Sequence, residues 1–162
     1  MIEPGFGSRM QGAAIAALML VLDQVSKIWI LTDVMNPPRV IEITPFFNLV
    51  LAWNRGVSFG MFSAESEIGP WLLTALAVAI MIALAVWLWR ATSRLSVIAL
   101  GMIIGGAAGN VIDRLQHGAV TDFLDFHAFG YHWPAFNVAD SAICVGAVIL
   151  VLESLFTRSE TS

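Results

Sequence analysis

Asp122 and Asp140 stand in Val120-Thr121-Asp122-Phe123 and Phe136-Asn137-Val138-Ala139-Asp140-Ser141, where one long apolar segment has ended and another begins. A carboxylate placed mid-bilayer costs about 2.5–3.5 kcal/mol even on lenient insertion scales, so acids kept beside such segments usually have a task. Two carboxylates held together do not both ionise freely. One retains a proton while the other stays a base, and such a pair can activate a water. The two aspartates are 18 residues apart, too far to share a helix face, so they meet only across the junction of two helices.

With the apolar residues set aside, a narrow polar set remains near one end of the apolar segments: Asp23, Lys27, Asn54, Asn110, Asp113, Arg114, Asp122, Asp125, Asn137 and Asp140. Asn110 and Asn137 can orient carboxylates or a substrate amide, and Arg114 can hold an acid or a carbonyl. Fixed donors of this kind act more strongly in a low dielectric than in water. Each residue also has a purely structural reading. Asp140 suits the N-terminus of a helix, where an anion is favoured. Asp113-Arg114 reads as an interfacial ion pair, and Asp23 and Lys27 at i,i+4 share a helix face as another.

The elements that must position these groups are membrane spans. Of 162 residues, 58% are hydrophobic and only 12% charged, with mean hydropathy +0.80, whereas a soluble domain carries roughly 25% charged residues. The net charge of −4 is dispersed, and no basic tract suggests a nucleic-acid partner. The single cysteine, Cys144, excludes a disulfide framework or a cysteine-based zinc site within one chain. About 20 helical residues cross a bilayer core, and four segments qualify: Gly12 to Leu31, Ile68 to Trp89, Leu95 to Ile112, and one that starts near Asn137, is apolar from Ala142 to Leu152 and ends at Glu153. The first lacks an A-x-A-like cleavage site and runs directly into Asp23-Gln24-Val25-Ser26-Lys27, so it is expected to remain as a helix. Trp29, Trp71, Trp87, Trp89 and Trp133 stand at span ends, as interfacial anchors do.

Gly101, Gly105 and Gly109 recur every four residues and predict a seam on the third span where another backbone approaches closely. Between the first two spans, Val40-Ile41-Glu42-Ile43 and Phe47 to Trp53 read as short strands, followed by a turn at Asn54-Arg55-Gly56. Four spans put both termini on one side. Arg9, Arg90, Arg94 and Arg158 lie there; Lys27, Arg39, Arg55 and Arg114 lie toward the other. With the basic residues inside polar motifs discounted, the Arg90–Arg94 turn favours termini inside.

Five motifs in order make the chain recognisable: Asp23-Gln24-Val25-Ser26-Lys27, Asn54-Arg55-Gly56-Val57-Ser58-Phe59-Gly60, Gly106-Ala107-Ala108-Gly109-Asn110-Val111-Ile112-Asp113-Arg114, Val120-Thr121-Asp122-Phe123, and Phe136-Asn137-Val138-Ala139-Asp140-Ser141. Together they resemble the lipoprotein signal peptidase (signal peptidase II) family over nearly the whole chain. One position departs from the family pattern: Val57-Ser58-Phe59 stands where Ala-Ala-Phe often does. The resemblance implies an all-α polytopic membrane protein: four transmembrane helices and a small extracytoplasmic β-cradle, at roughly residues 38–62, in a single domain spanning residues 1–162. It implies Asp122 and Asp140 as the catalytic dyad, and Asn54, Gly56, Asn110, Arg114, Asn137, Asp23 and Lys27 as substrate-binding or supporting residues. It further implies a bacterial inner-membrane endopeptidase, with cytoplasmic termini and no metal or cofactor. Such an enzyme acts as a monomer on diacylglyceryl-modified prolipoproteins in contact with membrane lipid, cutting just before the modified cysteine.

Three other readings remain on sequence grounds. His127 and His132 with Asp125 could ligate a metal in a hydrolase, although no His-Glu-x-x-His helix is present. Intramembrane acids also serve proton-coupled transporters, but no internal repeat is visible. A non-catalytic lipoprotein chaperone would not require the paired aspartates.

Overall fold

A computed structural model describes residues 6–56 and 68–159. The motif residues Val57-Ser58-Phe59-Gly60 and the end of the expected cradle therefore lie outside the described residues.

Four helices form the body: α1 (Phe6–Trp29), α2 (Ile68–Arg90), α3 (Arg94–His117) and α4 (Val138–Ser159). All four are long and apolar enough to cross a membrane, and the chain is a multi-pass membrane protein. α1 runs on through a π-helical turn, Ile30–Val34, closed by Met35 N–H donating to the Ile30 carbonyl at 2.8 Å. That makes the first span longer than its apolar stretch predicts. Asp23 and Lys27 do not interrupt it because they pair within it, at 2.8 Å. α3 likewise continues beyond Ile112, through Asp113 and Arg114, to a stop at Gly118. There φ is +69, and the Gly118 N–H bonds the Arg114 carbonyl at 3.0 Å, the left-handed ending glycine favours. α4 passes Glu153, whose carboxylate accepts from Ser96 Oγ at 2.6 Å.

α3 is the central helix, packed against α1, α2 and α4. Its predicted glycine seam faces α1. A Cβ on Gly101 would come 2.7 Å from the Gly12 carbonyl oxygen, and one on Gly105 would strike the Ala16 backbone. Without a hydrophobic drive between helices in lipid, such backbone contact is a main source of their association. Gly105→Val is therefore expected to lower stability by about 1–3 kcal/mol, read as a lower unfolding midpoint of the detergent-solubilised protein; an unchanged midpoint would remove the seam's importance.

A four-stranded antiparallel sheet, in the order β1-β2-β3-β4, lies across one end of this bundle. β1 (Ile41–Thr44) and β2 (Phe47–Asn54) are the two strands expected from sequence. β3 (Val120–Ala128) and β4 (Tyr131–His132) come from the stretch between the third and fourth spans. The sheet is thus not confined to residues 38–62: half its strands follow α3. β2 pairs with β3 from Phe47↔Phe126 to Asn54↔Val120, with a register shift between Leu49 and Ala52. Ile30, Met35 and Phe123 form a buried cluster that fixes the sheet to the end of α1, with Leu49, Leu51 and Val138 packed on it. β3 and β4 are joined by Phe129-Gly130, both at positive φ (52 and 79). A phenylalanine there costs roughly 1–2 kcal/mol relative to glycine.

Candidate active site

The start of α4 is built around Asn137. Its Oδ1 accepts from the Asp140 N–H at 2.9 Å, while Asp140 Oδ2 accepts from the Asn137 N–H at 3.2 Å. This is a reciprocal capping box with aspartate in the third helical position. The structural and functional readings of Asp140 therefore coincide: the residue that completes the cap is the one suspected of chemistry. Its other oxygen, Oδ1, accepts from Asn110 Nδ2 at 2.8 Å.

Asp122 reaches the same place from β3. Asn137 Nδ2 donates to Asp122 Oδ1 at 2.7 Å, and Asn54 Nδ2, at the end of β2, donates to Asp122 Oδ2 at 2.9 Å. Asn137 thus links the two acids, its side chain to the Asp122 carboxylate and the Asp140 N–H and its backbone N–H to the Asp140 carboxylate, across the 18-residue separation closed at the α3–β3–α4 junction. Asn54 is itself held by Gly56, whose N–H donates to Asn54 Oδ1 at 2.8 Å in a tight turn. Gly56 has φ +84, and a Cβ would run into Leu73.

Behind Asp140 lies a buried charge cluster. Lys27, only 2% exposed, spends its three N–H groups on Asp23 Oδ2 (2.8 Å), Asp113 Oδ2 (3.1 Å) and Asn110 Oδ1 (3.0 Å). The last bond, with a longer one from Asn137 Nδ2 at 3.3 Å, sets the flip of the Asn110 amide, so its Nδ2 points at Asp140. Asp23 Oδ1 accepts from the Ala139 N–H at 2.9 Å, a further tie to the first turn of α4. Gln24 and Thr121 complete the cluster: Gln24 Nε2 lies 3.1 Å from Asp113 Oδ1, and the Thr121 N–H donates to Asp113 Oδ2 at 2.8 Å.

Arg114 Nη1 makes a long bond of 3.4 Å to the Asn110 carbonyl, and its charge acts on Asp140, Asp122 and Asp113. Its buried Nε has no hydrogen-bond partner among the described residues. Asp122 is 1% exposed, and its pKa is raised to about 6. Burial is the main cause and the Asp140 charge adds to it, while bonds from Asn54 and Asn137 and the Lys27 charge oppose the rise.

All the residues expected to form the site, Asp122, Asp140, Asn54, Gly56, Asn110, Arg114, Asn137, Asp23 and Lys27, are linked in this one network or its charge field. Two expectations change. Asp113 pairs with Lys27 and not with Arg114, because adjacent helical residues point in different directions. Asp125 stands apart from the dyad: Asn48 donates to it at 3.0 Å, and His132 Nδ1 lies 2.9 Å from both its oxygens. Burial raises the Asp125 pKa, but the His132 and Asn48 hydrogen bonds and the nearby histidine charges outweigh it and leave the group below its ordinary value. The histidine rings stack at 4.8 Å, and among the described residues no three metal-ligating side chains are arranged to hold an ion. Gln24, Asp113 and Thr121 are supporting residues beyond those the resemblance implies; the sequence signal for Gln24 is its place between Asp23 and Lys27.

Known proteins agree with this architecture. A relative from Methylorubrum extorquens, described as a lipoprotein signal peptidase, is 52% identical over 139 residues, covering 84% of this chain and 80% of its own. One of the same description from Beijerinckia indica is 45% identical over 154 residues, covering 94% and 91%. A solved structure described as a bacterial membrane enzyme superposes with a TM-score of 0.80 at 29% identity, covering 99% of this chain and 94% of that one. The family model for signal peptidase (SPase) II matches residues 15–156, and the chain belongs to that family of proteases.

Proposed function

We propose that the protein is an aspartic endopeptidase that removes signal peptides from diacylglyceryl-modified prolipoproteins, cutting on the amino side of the modified cysteine. The observation that carries this is the Asn137 bridge, which gathers Asp122 and Asp140 into one hydrogen-bonded unit at the sheet end of the bundle. On this reading the chain is a single domain in the bacterial inner membrane, acting as a monomer, with cytoplasmic termini and the sheet on the extracytoplasmic side. An acylated cysteine stays in the bilayer, so a site at the mouth of the spans can meet it there.

Asp140, at the N-terminus of α4 where a negative charge is favoured, acts as the base and takes a proton from water as its oxygen attacks the scissile carbonyl carbon. Asp122 donates its proton to the carbonyl oxygen. Asp122 then takes a proton back from a hydroxyl of the tetrahedral intermediate as the C=O re-forms and the C–N bond breaks, and Asp140 gives its proton to the leaving nitrogen. On this reading Arg114, whose buried Nε has no hydrogen-bond partner among the described residues, and Asn54 hold the substrate backbone.

The direct test is cleavage of a lipid-modified precursor by the purified protein, with the cut mapped by mass spectrometry. A cut before the modified cysteine that persists in EDTA is expected. Cleavage elsewhere, or of unmodified precursor equally well, would end the substrate assignment. The pH profile gives a second reading. The raised pKa of Asp122 means its proton is held below about 6 and lost above it. kcat/KM should therefore fall on the alkaline side, by roughly tenfold per pH unit once well past that value, and fall again in acid as the pair takes up its second proton. A profile flat from about pH 5 to about pH 9 would contradict an acid–base role for the pair.

A further inference from the structure

The β3–β4 hairpin carries an apolar face that no part of the described fold covers. At its tip Phe129 is fully exposed in a two-residue turn with positive φ at both positions, where Asn-Gly is the favoured pair. Among the described residues nothing packs on the phenylalanine at that place. β3 and β4 pair as His127↔His132 and Ala128↔Tyr131, and the Trp133 N–H donates to the Phe126 carbonyl at 2.8 Å. Paired residues share a face and successive pairs alternate. Phe126, Tyr131 and Trp133 therefore project to one side, and His127 and His132 to the other.

The two sides differ in kind. On the histidine side, Asp125 is bonded by both His132 and Asn48. The other side is aromatic and continuous: the Phe126 ring lies 4.7 Å from Phe47 and 5.9 Å from Phe136. Phe136 directly precedes Asn137, the cap of α4, so this face runs from the hairpin tip to the point where a membrane span begins. Trp133 is five residues from Val138, a tether of at most about 18 Å. Tyr131 and Trp133, 70% and 62% exposed, are residue types that favour the headgroup level, and Phe47, Phe126, Phe129 and Phe136 add no charge.

From this continuity we propose that the aromatic face of the β3–β4 hairpin lies in the interfacial layer of the bilayer, with Phe129 turned toward the acyl chains. The occupant is lipid, since the face continues the surface of a span and carries no charged group to select a protein partner. Because Asp122 is on the same strand, the depth of the hairpin then sets the height of Asp122 relative to the membrane. The placement is independent of the chemistry at Asp122 and fails or stands apart from it.

The test uses the full chain in vesicles of phosphatidylethanolamine and phosphatidylglycerol, with Cys144→Ser removing the only cysteine. A nitroxide is attached at Phe129→Cys, Tyr131→Cys or Glu42→Cys; Glu42 pairs with Asn48 and so reports the opposite face. Collision rates with oxygen and with a water-soluble nickel chelate measure depth. Expected is an oxygen-to-nickel ratio several-fold higher at 129 and 131 than at 42, with or without precursor. Equal ratios at all three positions would overturn the proposal. Shielding at 129 only after a lipid-modified precursor is added would also overturn it, and assign the face to substrate. Brominated lipids give an unlabelled check: quenching of native fluorescence should diminish in Trp133→Phe, and quenching identical to the unsubstituted protein would count against the placement.

Discussion

Replacing either Asp122 or Asp140 by asparagine is expected to reduce kcat by roughly 10³-fold or more, since each substitution removes a proton-transfer partner while preserving size. KM should change far less, because neither carboxylate is needed to anchor the lipid. The bonds that survive make this a test of chemistry and not of folding. An asparagine at position 140 can keep an oxygen for Asn110 Nδ2 or for the Asn137 N–H, and one at 122 can keep an oxygen for Asn137 or Asn54. The double variant should be no worse than the more damaged single one, because groups that act as a unit lose their effect together. Single-turnover cleavage of a lipid-modified precursor measures this. A single variant within tenfold of the unsubstituted protein, with folding intact, would mean that the pair is a helix cap and little more.

The second large effect is at Lys27. Its ammonium is shared by Asp23, Asp113 and Asn110, and the residue is buried. Lys27→Met leaves two buried carboxylates without their cation, and breaking a buried pair from one side destabilises by about 3–5 kcal/mol. The unfolding midpoint in detergent should drop accordingly. Removing the stranded charges as well, with Asp23→Asn and Asp113→Asn, should recover much of the stability, since replacing a whole buried ionic group is often close to neutral. Activity should return only in part, because Asn110 would have lost the shorter of the two bonds that fix its flip, keeping only the 3.3 Å bond from Asn137 Nδ2 to hold its Nδ2 toward Asp140. If activity recovered in step with stability, Lys27 would be a structural residue only.

Much of this was legible in the sequence, for a physical reason that differs by element. The spans show because lipid demands long apolar helices, and the glycine seam shows because small residues every four positions have few other uses there. The two acids that meet at the start of α4 were legible because charges beside such spans are costly and therefore conspicuous. β3 was not. Val-Thr-Asp-Phe-Leu-Asp-Phe-His-Ala mixes β-branched and aromatic residues with two acids, and between two spans it reads as an interfacial loop. Its strand character depends on β2, which lies more than 60 residues earlier in the chain and supplies the pairing. Asp113 was hidden by its neighbour: Arg114 follows it in sequence, but the cation it meets, Lys27, stands on another helix.

The cap of α4 has a consequence for how this molecule is inhibited and how it ages. Helix ends elsewhere fray on fast timescales at little cost, and a protein can lose a terminal turn and still work. Here the first turn of α4 is held by Asn137, Asp140 and Asp23, the same groups that align the two acids. With the pair in the proposed catalytic role, fraying and inactivation are one event. Amide hydrogen exchange at Ala139 and Asp140 becomes a gauge of how much enzyme is competent at any instant. A compound that occupies the site by engaging Asp140 should slow that exchange, and one that pulls Asp140 away from Asn137 should hasten it.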